Sequence, residues 1–193
     1  IQAGELVLKK GRKLGAADIG VLTSIGLTSV EVFRKPSVTV ISTGDEIVGP
    51  GEEVRLGQVR DINTYTIAAS AEAMGCNVIT RAVVGDDEAM LTETLEKAHA
   101  ESDIVLLSGG SSVGVKDYSM KVIDSLGAPG VLCHGIAFKP GKPTIIANAD
   151  GKPILGLPGH PVSAMMVFSI LGEYLVKLIN HAKAPLEIWV EAV

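Results

Sequence analysis

Asp103-Ile-Val-Leu-Leu-Ser-Gly-Gly-Ser-Ser-Val-Gly114 sets four aliphatic residues in a row and then a turn of serine and glycine. An apolar run of that length, bounded by turn residues, reads as a strand buried on both faces, the kind found in parallel sheets with helices above and below. The neighbouring sequence keeps to the same scheme. Upstream, Asp86–Ala100 predicts a helix with acids in its first turn and Lys97 and His99 in its last, as the helix dipole favours. Asn77–Val84 predicts a strand, and Asp61–Gly75 carries Ile62, Ile67, Ala68, Ala71 and Met74 at helical spacing. Val38-Thr-Val-Ile41 is a β-branched strand that runs into Ser42-Thr-Gly-Asp-Glu46. Downstream, Asp117–Leu126 predicts a helix, Thr144–Ala147 and Pro153–Gly156 two strands around an Asp150-Gly151 turn, and Val162–Asn180 a long helix. Leu186–Val193 begins one more strand. Strands and helices alternate at the pitch of βαβ units, so the class is α/β, with a mostly parallel sheet and one antiparallel hairpin. Ligands in such sheets sit beyond the carboxyl ends of the strands, which points to the loops after Ile41, Leu107 and Gly156.

The composition, 47% hydrophobic and 20% charged, is too apolar for a disordered chain. The longest apolar stretch, Pro161–Gly172, stops at Glu173, short of the roughly 20 residues a bilayer span needs, so no membrane partner is expected. A net charge of −5 argues against nucleic acid as a partner but leaves room for one local anion site. Cys76 and Cys133 have neither CxxC spacing nor a ligand cluster, which favours a reducing, cytoplasmic setting over a disulfide scaffold. No basic leader with an apolar run precedes the domain, and the chain opens on Ile1. Residues 1–35 break the rhythm with Gly4, Gly11, Gly15, Gly20 and Gly26. They read as a connector from a preceding module, with a helix over Ala16–Ile25 and a strand over Ser29–Phe33.

Five segments have the composition of chemistry. In Ser108–Gly114, the glycines Gly109, Gly110 and Gly114 let the backbone approach a ligand, consecutive N–H groups can form an anion nest, and Ser108, Ser111 and Ser112 add donors. The same loop also suits a plain strand-to-helix turn, and no Walker lysine follows it. Asp117 either caps the next helix or holds a divalent ion. Phe138-Lys139-Pro-Gly-Lys-Pro143 stiffens two lysines between Pro140 and Pro143 around Gly141, which suits the presentation of two ammonium groups to a compact oxyanion better than a solvated turn. Gly156-Leu-Pro-Gly-His-Pro161 leads Pro158, Gly159 and His160 into the last helix, where Ser163 joins the first turn. A lone His160 is more often a turn residue than a base, and His99, His134 and His181 lack metal-ligand spacing. Thr43-Gly-Asp-Glu46 and Asp86-Asp87 put carboxylates just past strand ends, where they either start helices or gather with Asp117 around Mg2+.

Taken together, Ser-Thr-Gly-Asp-Glu (42–46), Asp-Ile-Asn (61–63), Ser-Gly-Gly-Ser-Ser-Val-Gly-Val-Lys-Asp (108–117), Lys-Pro-Gly-Lys-Pro (139–143) and Leu-Pro-Gly-His-Pro-Val-Ser (157–163) resemble the molybdenum-insertase family of the MoeA and gephyrin E-domain type, in order and spacing. The resemblance covers Pro36 to Asn180 and implies a three-layer α/β/α molybdopterin-binding domain over residues 36–182, with 183–193 beginning a small C-terminal β domain. It implies a cytosolic homodimer that takes adenylylated molybdopterin and molybdate, cleaves the adenylate with Mg2+ and inserts the metal. Carried over by position, it places Lys139, Lys142 and Pro143, with Pro140 and Gly141, at the oxyanion site beside Ser112. Asp117, Asp86 and Glu46 fall at the metal and phosphate end as catalytic and metal-binding residues. Thr43, Gly44, Asp45, Asn63, Ser108, Gly109, Gly110, Gly114, Pro158, Gly159 and Ser163 fall among the ligand-binding set. Two positions depart from the family's pattern. His160 stands where Asn is common, and Gly135 where some members carry a base, a variation that also suits tungstate. Isolated from the family's other domains, such a chain is expected to bind ligand weakly and turn over poorly. The alternatives are a molybdopterin adenylyltransferase or CinA-like nucleotide hydrolase on the same fold, or a scaffold without catalysis.

Overall fold

The computed structural model describes residues 1–109 and 113–180, of which 113–117 are described as backbone only. Gly110, Ser111, Ser112, the Asp117 side chain and the strand expected over 186–193 therefore lie outside the described residues, as do the side-chain contacts of Lys116. In chain order the elements are α1 (Ala16–Ser24), β1 (Ser37–Thr43), β2 (Ile47–Val48), β3 (Val59–Arg60), α2 (Asn63–Ala73), β4 (Asn77–Val84), α3 (Glu88–Glu101), β5 (Ile104–Gly109), α4 (Val113–Ser125), β6 (Pro129–His134), β7 (Ile145–Ala149), β8 (Lys152–Leu157), α5 (Pro161–Val167), a π-helical turn (Phe168–Gly172) and α6 (Glu173–Ile179).

Six strands form one sheet in the order β4-β1-β5-β8-β7-β6, and β2 pairs with β3 as a separate parallel ribbon. The β4, β1, β5 and β8 strands run parallel. The hairpin β7–β8 is antiparallel, and β6 adds a further antiparallel edge strand that its short, mixed sequence did not announce. The hairpin turns on Asp150 (φ 48°) and Gly151 (φ 86°), the left-handed pair that a two-residue loop needs, with Asn148 Oδ1 accepting from the Gly151 N–H at 2.8 Å. Asp103 sets the register at the other end. Its carboxylate accepts from both the N–H and the hydroxyl of Ser37 at 2.7 Å, which ties the starts of β1 and β5 together.

Helices cover both faces. On one, Ile41, Val105, Leu107 and Ile154 pack with Leu91 and Leu95 of α3 and Val122 and Ile123 of α4. Residues of alternate parity, Val40 and Leu106, are buried on the other, where α2 meets β1 and β4, and α5 meets β8. This is the three-layer α/β/α arrangement, with α2 closed by Gly75 in a Schellman pattern: Gly75 N–H to Glu72 O at 2.9 Å and Cys76 N–H to Ala71 O at 3.0 Å.

Three expectations are corrected. No strand forms over Ser29–Phe33; among the described residues none pairs with this segment, and a lone extended run is not stable by itself. Helix α4 starts at Val113 rather than Asp117, so Asp117 stands more than a turn inside the helix and is not its cap. The last helix reaches Ile179 as its spacing predicts, but its 19 residues from Pro161, of mean hydropathy 1.7, overturn the argument drawn from the shorter apolar stretch. Length alone therefore does not exclude a bilayer span as the sequence argument supposed.

Residues Lys35–Glu173 form one compact unit, and Ile1–Arg34 with Tyr174–Val193 another. Within the second, α1 is capped by Asp18, which accepts from the Gly15 N–H at 2.9 Å and pairs with Arg12 at 2.9 Å. The Gly15 N–H and Arg12 hold this carboxyl below the usual aspartate value. A cavity of about 650 Å3 lies among residues 5–33 of this unit and contains none of the motif residues.

Candidate functional site

Strand register brings the motif loops to one rim. Thr43 at the end of β1 faces Val84 of β4 on one side and Gly109 of β5 on the other. Ser108 faces Leu157 at the end of β8, Gly156 faces Ile145 at the start of β7, and Ile145 faces His134 at the end of β6. The chain therefore leaves this one edge five times: after β4 into Asp86, after β1 into Asp45-Glu46, after β5 into the serine-glycine turn, after β8 into Pro158-Gly159-His160, and between β6 and β7 through Lys139–Pro143.

The order of strands separates the charges along that rim. The acids stand at the β4 and β1 end, and the lysines beside β7, three to four strand positions away, roughly 14–19 Å at the usual inter-strand spacing. They share an edge without touching, so a ligand that uses both must be long. At the acid end, Asp45 Oδ1 accepts from the Asp86 N–H at 2.8 Å, and the Glu46 carboxylate folds over Gly44. Partial burial, then Asp45 and Glu46, push Asp86 above the ordinary aspartate value, although water screens much of this repulsion at an exposed side chain. Asp87 is spent otherwise, as the α3 N-cap accepting from the Met90 N–H at 2.8 Å. Among the described residues no three His, Cys, Asp or Glu side chains gather closely enough to hold a metal; Asp117, the third acid expected there, has its side chain outside that description.

At the basic end, the Lys139–Pro143 turn is held from within. The Ile136 N–H donates to Lys142 O at 3.0 Å, the Gly135 N–H to Thr144 O at 2.8 Å, and the buried Thr144 hydroxyl to Gly141 O at 2.6 Å. Gly141 is buried against Val167 of α5, so close that a Cβ there would come within 2.6 Å of Val167 Cγ2. Lys139, Lys142 and Pro143 remain exposed, which presents both ammonium groups to solvent on a fixed backbone.

Between the two ends lies a cavity of about 420 Å3 lined by Thr43, Glu46, Asp61, Asn63, Gly109, Gly159 and His160, with Ile47, Val59, Arg60, Ile62 and Pro161. Asn63 is its hub. Its Nδ2 donates to Ser108 Oγ at 2.7 Å and to Gly159 O at 2.8 Å, and Ser108 Oγ in turn donates to Pro158 O at 3.3 Å, which locks the loops after β5 and β8 to the start of α2. Gly109 (φ 117°) is required by close approach: a Cβ there would lie 2.2 Å from the Thr43 carbonyl oxygen. Asp61 holds the entry to α2, accepting from the Thr64 N–H at 3.1 Å, the Ser42 hydroxyl at 3.2 Å and the Thr64 hydroxyl.

Among the described residues four buried side-chain polar atoms have no hydrogen-bond partner: Thr43 Oγ1 and Asn63 Oδ1, whose residues line the cavity, Tyr118 Oη on α4, and Thr39 Oγ1. Buried groups are rarely left so, and each of these atoms is open to a partner from outside the chain, water included. Ser163 is half-buried in the first turn of α5. Sequence reading missed Arg60, whose guanidinium closes the 50–60 loop on Pro50 O (3.1 Å) and Glu52 O (3.2 Å), and it missed Tyr118. Neither belongs to a periodic or glycine-rich pattern. The two cysteines are free, and burial pushes the Cys76 thiol up to about 11, which removes it from any nucleophilic role near neutral pH.

Residues 39–177 match the sequence family described as a probable molybdopterin binding domain. The chain is 34% identical over 183 residues to a molybdopterin molybdenumtransferase of Haemophilus influenzae, covering 95% of this chain and 45% of that protein. It is 38% identical over 170 residues to one of Nostoc sp., covering 86% and 39%. It thus spans less than half the length of these curated relatives. A crystal structure of the molybdopterin biosynthesis MoeA protein from Pyrococcus horikosii superposes with a TM-score of 0.80 at 42% identity over 90% of this chain and 43% of that one. CinA from Thermoplasma acidophilum shares the fold alone, with a TM-score of 0.56 at 21% identity over 73% and 98% of the two chains.

Proposed function

Because this chain belongs to the family of probable molybdopterin binding domains, we propose that it is the catalytic part of a molybdopterin molybdenumtransferase, acting on adenylylated molybdopterin and molybdate with release of AMP. The observation that carries this reading is the division of one rim into an acid corner and a stiffened pair of lysines, with a cavity of about 420 Å3 between them. A pterin carrying a pyrophosphate-linked nucleotide is long enough to occupy such an edge. A tetrahedral dianion needs the lysine end, and a pyrophosphate needs its charge met at the other.

Each part has a physical task. Lys139 and Lys142 offer two exposed ammonium groups on a turn whose backbone is braced by Thr144 and by α5, so little conformational freedom is lost when an oxyanion arrives. Thr43, Asn63 and Ser108, with Gly109 and Gly159, form the middle of the binding surface and keep the loops apart at a set distance. The negative charge that Asp45 and Glu46 bring to Asp86 suits a hard cation such as Mg2+, although the described carboxylates do not by themselves gather three ligands. Glu46 and Asp86, with Asp117, would hold it, and when bound it would supply positive charge against the phosphates. Residues 1–35 and 183–193 are then the flanks of neighbouring domains, and the intact protein works as a cytoplasmic homodimer.

Calorimetry with molybdate, adenylylated molybdopterin and ATP separates this reading from its rivals. The insertase binds the first two, and loses molybdate when Lys139 and Lys142 are both changed to alanine. Binding of ATP alone would instead indicate an adenylyltransferase or nucleotide hydrolase, and binding of none a scaffold.

A further inference from the structure

Tyr118 has no task in the account above. It lies on α4, and its ring packs against the core formed by β1, β5, α3 and α4. Burial, and then the carboxylates of Asp86, Asp45, Asp87 and Glu88 at the acid end of the rim, act on its hydroxyl. Yet the hydroxyl oxygen is buried and bonds to none of them.

Two ordinary explanations fail on this geometry. A ring that only filled the core would be better as phenylalanine, since an unpaired buried O–H costs free energy. A hydroxyl placed to hold one of the acids would donate to it. What remains is a donor waiting for an acceptor from outside the chain. A neutral donor is the type such a corner tolerates: a lysine here would pair with Asp86 and consume the carboxylate, whereas a phenol can meet an anionic oxygen and leave the acids free.

We propose that Tyr118 is a phosphate-binding residue, its hydroxyl donating to a phosphate oxygen of a nucleotide-bearing ligand held beyond the ends of β1 and β4. This rests on the reading given under Proposed function and names one further contact of that site.

The test is Tyr118→Phe in the full chain, with Mg2+ present. Calorimetry with AMP, and with adenosine as the phosphate-free control, is paired with thermal melting. One hydrogen bond to a charged oxygen predicts AMP binding weaker by about tenfold or more. Adenosine binding should be unchanged, and Tm unchanged or raised because an unpaired donor is gone. Equal AMP affinity in the two proteins would overturn the proposal, as would a fall in Tm with parallel loss of both ligands, which is how a structural tyrosine behaves. If the unaltered chain binds neither AMP nor adenosine, the parent reading fails first, and the two failures stay distinguishable.

Discussion

Replacing Asn63 probes the joint that holds the two central loops together. Its Nδ2 donates to Ser108 Oγ at 2.7 Å and to Gly159 O at 2.8 Å, and the residue is 6% exposed. A carbonyl only accepts, so Gly159 fixes which end of the amide faces the loop. Each such bond is worth about 0.5–1.5 kcal/mol net, so Asn63→Ala should cost about 2 kcal/mol. The loss of the unpaired Oδ1, and water entering from the adjoining cavity to meet Gly159 O, keep the figure from rising further. Asn63→Asp is worse. It aims a carboxylate oxygen at the Gly159 carbonyl, and an uncompensated buried charge costs about 3–5 kcal/mol. At roughly 2–4 °C of Tm per kcal/mol for a chain of this size, the losses are about 4–8 °C for alanine and about 6–20 °C for aspartate. The aspartate penalty also has a pH signature. Its pKa would be raised in the folded state, so the cost is present above that folded value and disappears as pH falls below the unfolded value, about 4. Melting the three proteins at pH 7.5 and pH 4.5 measures both effects. If Asn63→Asp melts at or above Asn63→Ala at pH 7.5, Nδ2 does not face Gly159, and the account of the joint is wrong.

Three further outcomes follow from the same geometry. Gly109→Ala, whose Cβ would fall 2.2 Å from the Thr43 carbonyl oxygen at φ 117°, should lose about 3 kcal/mol or more by chemical denaturation; wild-type stability would mean the two strand ends do not meet as described. Asp86→Asn should raise Tm slightly at pH 7 while abolishing any stabilisation by Mg2+. Because the Asp86 pKa is raised, its cost lies above the folded value, and the gap between variant and parent should close as the pH drops into the carboxylate range. A gap that widens in acid contradicts the sign. Thiol titration of the native chain at pH 8 should modify the half-exposed Cys133 first and reach Cys76, 4% exposed with its pKa near 11, only after denaturant is added. Equal rates would refute that burial.

Much of the fold was legible because its signals are local. The run Ile104–Leu107 is buried on both faces as its composition requires, the Asp150-Gly151 pair makes the hairpin, and Asp87 caps α3. Where the reading strayed, a tertiary partner was missing or present. Val30 and Val32 have β-branched character but remain exposed, and among the described residues no strand forms there. Pro129–His134, with weaker character, becomes a strand because β7 is there to receive it. Glu173 ends the apolar stretch but not the helix, which runs to Ile179 as its spacing implied, and that length undoes the argument against a bilayer span.

From residue order alone, the chemical inventory was already determined: glycine-rich turns after aliphatic strands, two lysines stiffened by prolines, acids just past strand ends. Those are properties of neighbours along the chain, and neighbours along the chain are what a one-dimensional pattern records. Which inventory shares an edge, and in what order along it, was decided only by the pairing β4-β1-β5-β8-β7-β6. Lateral strand order depends on contacts between residues far apart in sequence. That is why the acids and the lysines stand several strands apart along one rim, and why Asn63, 45 and 96 residues from its partners Ser108 and Gly159, ties the loops between them together.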